Sequence, residues 1–196
     1  MGGEAAHGVL ILSPRAVERL LTHEPRWPVP KVFRLVAGGK LMEAIFEGET
    51  INTPSMLAVE DYLDAMKWAK SIGGGAALRA RADANAKVMS DWVARTPWVE
   101  FLAEDPATRS NTSICLSIVD AEVRASGPKM PAEIAKGMVK ALEAEKVAFD
   151  IGSYRDAPPG LRIWTGATIE ASDVAILTEW LDWAFAREKA ALGVAA

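Results

Sequence analysis

The sequence has little cysteine, no excess of basic charge and no long hydrophobic run. Cys115 is the only cysteine among 196 residues, so no internal disulfide can form, which favours a cytoplasmic location. The 22 Lys and Arg residues are outnumbered by 26 Asp and Glu residues, and the net charge is −4. This balance gives no electrostatic argument for nucleic acid or an anionic membrane as a partner. No apolar stretch reaches the roughly 20 residues needed to span a bilayer, and no secretory signal pattern opens the chain.

Hydrophobic residues make up 50% of the chain, which is enough for a substantial core. An apolar run at residues 8–12 predicts a short buried strand. Pro14 suits the first turn of a helix, which is predicted to continue to Thr22. Residues 24–48 carry several Pro and Gly residues and predict irregular structure. A segment of that length without regular structure is usually functional or packed on a partner.

Two long helices are predicted next. The first begins near Thr53, which is a good N-cap residue. Three consecutive glycines at residues 73–75 interrupt the helical pattern, and the second helix ends near residue 96. The pattern changes again at residues 106–110, which predicts a domain boundary between residues 1–106 and 107–196.

The order β-α-β-β-α predicts a small α+β domain over residues 107–196, with a mostly antiparallel sheet covered by helices. The predicted elements are a strand at 112–119, a helix at 132–146, strands at 147–151 and 161–164, and a helix at 173–192. By contrast, the first 106 residues contain one clear strand, which cannot form a sheet by itself. We therefore expect them to be the final portion of a larger α/β domain.

The stretch TINTPS, at residues 50–55, could carry chemistry because it precedes a helix. A helix N-terminus offers unpaired N–H groups and the positive end of the helix dipole, so it can bind an anion. Asn52 and Thr53 would add side-chain donors there. An ordinary helix cap without a ligand is the alternative interpretation.

The stretch YRDAPPGLR, at residues 154–162, places two arginines on either side of a rigid turn. Arginine binds carboxylate or phosphate through two parallel hydrogen bonds, so Arg155 and Arg162 would suit a substrate with two anionic groups. The alternative is a pair of surface arginines on a hairpin. His7 and Cys115 are weak catalytic candidates, and no metal-ligand spacing is present.

Taken together, these segments resemble the C-terminal half of the phosphoserine aminotransferases, in their alphaproteobacterial form. Those enzymes are class V, fold-type I transferases that depend on pyridoxal 5'-phosphate. The segments that carry the resemblance are GGEAAHGVLILSPRAVERL, FRLVAGGKLMEAIFEGETINTPSML, ARADANAKV, RSNTSICLSIVD and FDIGSYRDAPPGLRIWTGAT. The implied fold is α/β, with the C-terminal part of the large cofactor-binding domain followed by a small α+β domain.

The resemblance also implies roles for particular residues in a homodimer. Asn52 and Thr53 match the pair that reaches the cofactor phosphate held by the other subunit. Arg162 matches the arginine that binds the substrate α-carboxylate, and Arg155 matches the one that contacts the substrate phosphate. Tyr154 stands where the family often has histidine, and the turn is one residue longer than in the commoner enterobacterial pattern.

The implied reaction converts phosphoserine and 2-oxoglutarate to 3-phosphohydroxypyruvate and glutamate in L-serine biosynthesis. The family's Schiff-base lysine would lie upstream of Met1, so we expect the isolated chain to be inactive. No catalytic residue is assigned within the chain. Another class V transaminase, or a non-catalytic domain that binds an anion or a partner chain, remains an alternative.

Overall fold

The computed structural model describes residues 10–50, 53–191 and 193. The chain forms two compact units, Met1–Ser71 and Ile72–Ala196. The domain boundary predicted near residue 106 is not tested by this division and stays a prediction. The second unit combines helices with an antiparallel sheet. The chain therefore has an α/β fold. Within the described part of the chain, no helix is long and apolar enough to cross a membrane.

The first unit begins with a capped helix, as the sequence predicts. Helix α1 spans Pro14–Thr22, and the Ser13 side chain accepts a hydrogen bond from the Ala16 N–H at 3.2 Å. Pro14 at the start fits because its missing N–H would have no partner in a first turn. The predicted helix is therefore confirmed.

The irregular segment that follows contains short turns and a very small hairpin. Strands β1 (Val36–Ala37) and β2 (Lys40–Leu41) pair in antiparallel fashion. The connecting residues Gly38 and Gly39 both have positive φ, at +56° and +73°, which glycine adopts without strain. Two 3₁₀ turns flank the hairpin, at Lys31–Phe33 and Glu43–Glu47. Helix α2 then spans Met56–Ser71.

The strand predicted at residues 8–12 is not formed by its described part. Residues 10–12 have no regular structure, and Leu10 and Ile11 are 47% and 86% exposed. The physical reason is the lack of a neighbour: no strand of the described chain pairs with these residues, so their apolar side chains have no sheet in which to be buried. Residues 8 and 9 lie outside the described residues.

The second unit is built on a three-stranded antiparallel sheet. Its order is β3-β4-β5, with β3 at Val99–Phe101, β4 at Ser113–Ile118 and β5 at Leu161–Trp164. Four helices accompany the sheet: α3 (Gly74–Arg95), α4 (Ala121–Ala125), α5 (Met130–Ala144) and α6 (Ala171–Ala191). The register aligns Leu116 of β4 with both Phe101 and Leu161.

Buried and half-exposed residues alternate along β4, so one face of the sheet is covered and the other is not. Ile114, Leu116 and Ile118 are buried, whereas the residues between them are half-exposed. The buried face packs on helices that also pack on each other, α5 on α6 and α6 on α3. Core residues from these helices include Trp92, Met138, Leu142, Leu181 and Phe185.

One prediction for this unit needs correction, and two short elements were not predicted. Residues 147–151 do not form a strand, and Gly152 makes only an isolated bridge to Leu161. Lys146 and Asp150 both have left-handed backbone, with φ of +59° and +54°, which interrupts an extended strand at each end. The short elements β3 and α4 were not predicted. The strands at 113–118 and 161–164 and the helices at 130–144 and 171–191 confirm the other predictions within a few residues.

Candidate functional site

Arg162 lies on the half-exposed face of the sheet, opposite the core. Its neighbours in β5, Leu161 and Ile163, are buried, so alternation directs Arg162 to the other face. Cys115 is its Cα partner on β4 and is also half-buried. Cys115 occupies the half-exposed set of β4 positions and is not fully buried.

The Arg162 guanidinium is held from two directions. Its Nη2 donates hydrogen bonds to the Asp150 carbonyl oxygen at 3.1 Å and to Asp150 Oδ2 at 2.8 Å. Its Cζ lies 4.2 Å from the centre of the Tyr154 ring, within the range of a cation–π interaction. The Arg162 side chain is only 15% exposed, whereas that of Asp150 is 90% exposed.

One donor of Arg162 has no acceptor. Its Nε is buried and forms no hydrogen bond within the described part of the chain. A buried donor without a partner is unfavourable, by about 1–3 kcal/mol. A guanidinium that is oriented by its neighbours and still has unused donors is well suited to bind a carboxylate.

Tyr154 and Arg155 lie in the loop that leads into β5. The Ala157 N–H donates to the Tyr154 carbonyl at 3.0 Å, which closes a tight turn. The loop returns to the sheet at Gly160, where an added Cβ would lie 2.0 Å from the Leu116 carbonyl oxygen. Only glycine allows this close approach.

The two predicted substrate arginines have different surroundings. Arg155 is exposed and lines a cavity of about 470 Å³ beside α5, together with Tyr154. Arg162 is not among the lining residues of that cavity. Tyr154 is near both arginines: its ring contacts Arg162, and it lines the cavity together with Arg155.

The stretch at residues 50–55 precedes helix α2, as predicted, but the cap differs. The helix begins at Met56, and Ser55 caps it by accepting from the Ala58 N–H at 3.4 Å. The sequence had favoured Thr53 as the cap, which is wrong because the helix starts later. Thr53 is exposed two residues ahead of Ser55, and Asn52 lies outside the described residues.

The start of α2 has N–H groups that precede the first intrahelical hydrogen bond. The first intrahelical bond runs from the Val59 N–H to the Ser55 carbonyl at 3.1 Å. The N–H groups of Met56 and Leu57 precede it, and both of these residues are exposed, at 60% and 75%. Donors of this kind, at the positive end of a helix, bind anions. Thr53 is exposed, and Ser55 takes the capping position in its place.

Sequence reasoning missed the residues that support the loop after β5. Asn85 of α3 is buried, and its Nδ2 donates to the carbonyl oxygens of Thr165, Gly166 and Ile169 at 3.1–3.2 Å. Arg81, one turn earlier, donates to the Ala167 carbonyl at 2.9 Å. The available signal was two polar residues four apart in ARADANAKV, which place them on one helix face.

Asp150 was also missed, because nothing in the local pattern connects it with Arg162. It lies 12 residues earlier in the chain and reaches Arg162 through a bend with positive φ. No other group within the described residues forms an ion pair with Arg162.

Comparison with known proteins identifies related chains. No family model matches the sequence. Phosphoserine aminotransferases from Methanosarcina mazei and Methanosarcina barkeri are 55% and 54% identical to it over 185 residues. The matched region is 94% of this chain and 47% of each relative. A putative phosphoserine aminotransferase from Mycobacterium leprae is 27% identical over 177 residues, which are 88% of this chain and 43% of that relative.

Solved structures share the fold. The phosphoserine aminotransferase from Bacillus circulans subsp. alkalophilus superposes with a TM-score of 0.57 at 19% identity, over 69% of this chain and 34% of that one. A phosphoserine aminotransferase solved in a study of radiation damage of its Schiff base gives 0.60 at 14% identity, over 78% of this chain and 39% of that one.

The α/β fold is shared with these solved structures, and the sequence is similar to part of the length of curated aminotransferases. Within that class, it is a homologue of the phosphoserine aminotransferases. The chain spans about half the length of the curated relatives it matches. The alphaproteobacterial subtype and the roles of individual residues stay predictions.

Proposed function

We propose that the chain is part of a phosphoserine aminotransferase of L-serine biosynthesis. The reaction would convert phosphoserine and 2-oxoglutarate to 3-phosphohydroxypyruvate and glutamate in the cytoplasm. The observation that carries the proposal is Arg162, a side chain 15% exposed that is oriented by Asp150 and Tyr154 and retains an unused buried donor. Homology over 94% of the chain supports the choice of reaction.

In this proposal Arg162 binds the α-carboxylate that all four substrates carry. Stacking on Tyr154 restricts the guanidinium plane, so less conformational freedom is lost when a carboxylate binds. Arg155 is exposed in the cavity beside α5 and would bind the phosphate of phosphoserine. Both tasks use charge-assisted hydrogen bonds, which are stronger than neutral ones.

Pyridoxal 5'-phosphate is the cofactor that we propose, and the start of α2 has the donors to hold its phosphate. Thr53, the first-turn N–H groups and Asn52 would supply hydrogen bonds to it. When bound, the cofactor supplies an electron sink for the charge that develops at the substrate Cα. By analogy with the resembled family, the enzyme would be a homodimer in which this helix start serves the cofactor of the other subunit.

Genomic DNA upstream of Met1 provides the first test. An in-frame extension that encodes a lysine shortly before Gly2 would support the proposal. A stop codon there, with no companion gene for the remaining half, would overturn it.

Activity of the extended protein provides the second test. With pyridoxal phosphate added, phosphoserine-dependent formation of glutamate from 2-oxoglutarate is expected. Arg162→Ala should lower kcat/KM about 100-fold, because two charge-assisted hydrogen bonds are lost. Arg124→Ala removes an exposed arginine of α4 and serves as the control, with unchanged activity expected. Turnover that Arg162→Ala leaves unchanged would contradict the assignment of Arg162, and absence of turnover would favour the non-catalytic alternative.

A further inference from the structure

Helix α6 carries apolar side chains on two opposite sides. One side contributes Val174, Leu181 and Phe185 to the core of the second unit. The other side presents a row of exposed residues at helical spacing, here called the outer stripe of α6: Ile176, Glu179, Trp183, Ala186, Arg187 and Ala190. A surface helix of a globular domain usually presents polar residues on the side away from the core, so the outer stripe has the composition of a contact surface.

The apolar residues of the outer stripe are exposed and regularly spaced. Ile176 is 57% exposed and Trp183 is 38% exposed. Trp183 follows Ile176 by seven residues and Ala190 follows Trp183 by seven, which is the repeat that forms a helix–helix seam in coiled coils. The outer stripe is therefore suited to packing against another helix.

The two charged residues of the outer stripe have opposite signs and are placed symmetrically about Trp183. Glu179 lies four residues before Trp183, and Arg187 lies four residues after it. Within the described part of the chain, Glu179 forms no ion pair, and Arg187 contacts only its neighbour Glu188, at 3.8 Å. The Arg187 Cζ lies 5.3 Å from the centre of the Trp183 ring, which keeps the cation beside the stripe.

An antiparallel contact between two copies of α6 would pair these charges. With a two-fold axis at Trp183, Glu179 of each copy lies opposite Arg187 of the other, and Ile176 lies opposite Ala190. A parallel contact would instead place Glu179 against Glu179 and Arg187 against Arg187, which is repulsive. A second copy of this chain therefore supplies both an apolar row of the same spacing and complementary charges.

We infer that the outer stripe of α6 binds the outer stripe of a second copy of this chain, in antiparallel orientation. This contact is separate from the homodimer of the proposed function, which uses the start of α2, and it does not depend on the reaction.

The size of the contact predicts weak, reversible association. Helix α6 has 21 residues and is therefore about 31 Å long, so a face about 10 Å wide buries about 300 Å² per copy. Stable interfaces bury about 800 Å² per partner. Because the α6 contact is smaller, we expect a Kd of about 0.1 mM for self-association.

Sedimentation equilibrium of the full 196-residue chain tests the inference. The unmodified chain is compared with Glu179→Arg and with Arg187→Glu from about 10 μM to about 1 mM, at low ionic strength, where screening is weakest. Each substitution places like charges at both ends of the symmetric contact, so self-association should weaken about tenfold or more. Both residues are exposed, so the fold should be retained, and circular dichroism checks this.

Mixing the two variants tests the antiparallel pairing itself. In a mixed pair, one copy carries two positive charges on the outer stripe and the other carries two negative charges, so opposite charges meet at both ends. An equimolar mixture should therefore associate within about twofold of the unmodified chain. Glu100→Arg is the matched control and should leave association unchanged, because Glu100 follows the buried Val99 in β3 and lies on the sheet face away from the helices.

Three outcomes would overturn the inference. These are an unmodified chain that stays monomeric up to about 1 mM, single variants that associate as tightly as the unmodified chain, and a mixture that associates no more tightly than either variant alone. The second outcome would place the contact on another surface, such as the exposed Trp27 and Phe33 of the first unit.

Discussion

Arg162 and Tyr154 form a stacked pair in which the guanidinium carbon lies 4.2 Å from the centre of the aromatic ring. Tyr154 is 68% exposed, whereas the Arg162 side chain is 15% exposed. The ring therefore covers the arginine, and solvent reaches the ring itself.

Because the Tyr154 ring contacts Arg162, we predict that the ring contributes more to glutamate binding than the Tyr154 hydroxyl does. Tyr154→Phe keeps the aromatic face, and glutamate binding should stay within twofold of the unmodified chain. Tyr154→Ala removes it, and affinity should fall about two- to fivefold, the range expected for a partly exposed cation–π contact. Calorimetric titration with glutamate checks both. Equal losses in the two variants would show that the hydroxyl, and not the ring, supports Arg162.

Asp150 is predicted to compete with the substrate carboxylate for Arg162. Its Oδ2 already accepts from Arg162 Nη2 at 2.8 Å, and its negative charge opposes a second carboxylate nearby. Asp150→Asn removes the charge, and asparagine tolerates the left-handed backbone, with φ of +54°. Glutamate should then bind severalfold more tightly, with a change in unfolding free energy below about 0.5 kcal/mol because the pair is exposed on the Asp150 side. Weaker binding would mean that the help Asp150 gives in orienting the guanidinium outweighs its competition with the substrate carboxylate.

Gly160 is predicted to be intolerant of any side chain. A Cβ there would lie 2.0 Å from the Leu116 carbonyl oxygen, and a backbone atom of a central strand cannot move away at low cost. Gly160→Ala should destabilise the protein by about 3 kcal/mol or more, measured by urea denaturation. Gly152→Ala is the matched control, since its Cβ would lie at an ordinary 3.8 Å from Val139 Cγ2, and it should cost less than about 1 kcal/mol. Similar stabilities of the two variants would contradict the packing of this loop.

Lys189 is predicted to stabilise the fold at neutral pH and to lose this effect only at high pH. Its Nζ lies 2.5 Å from a Glu122 carboxylate oxygen and 3.2 Å from Asp120. The hydrogen bond to Glu122 is the largest influence and raises the pKa of Lys189 above 10.5; burial opposes it, and Asp120 adds to it. A lysine whose pKa is higher in the folded than in the unfolded protein stabilises the fold below the unfolded value. That contribution disappears as the pH rises through the folded value.

The comparison of the unmodified chain with Lys189→Met measures this effect. The difference in unfolding free energy should be constant between pH 7 and 9.5 and should shrink above 10.5. A difference that is unchanged at pH 11.5, or that grows, would show that the charge of Lys189 is not what stabilises the fold.

Much of the fold follows from local patterns in the sequence. Ser13-Pro14 marks the start of α1, and the alternation in SICLSI identifies β4. Residues 147–151 mislead because their apolar character suits a strand, while the left-handed conformations of Lys146 and Asp150 are invisible to a hydrophobic pattern. The strand β3 has three residues, too few for a periodic signal, and it forms because β4 is beside it.

The candidate site, like the fold, was only partly predictable from the sequence. Arg155 and Arg162 stand out because arginines beside a Pro-Pro-Gly turn have a recognisable chemistry. The surroundings of Arg162 do not, because Asp150 reaches it through tertiary packing and not through a local pattern. Whether Asn52, Thr53, Tyr154 and the two arginines bind as the family resemblance implies stays a prediction.

Two buried tryptophans bound to Asp182 give the second unit an intrinsic fluorescence signal. It accepts from the indole N–H groups of both Trp92 and Trp98, at 3.1 and 3.0 Å, and the two rings meet edge to face at 5.4 Å. Both indoles are almost fully buried, whereas Trp27 in the first unit is 74% exposed. The blue component of intrinsic fluorescence should therefore come mainly from the core of the second unit and the red component from exposed indoles such as Trp27. Unfolding of the second unit can thus be followed in the intact chain, without an added label, by the loss of the blue component.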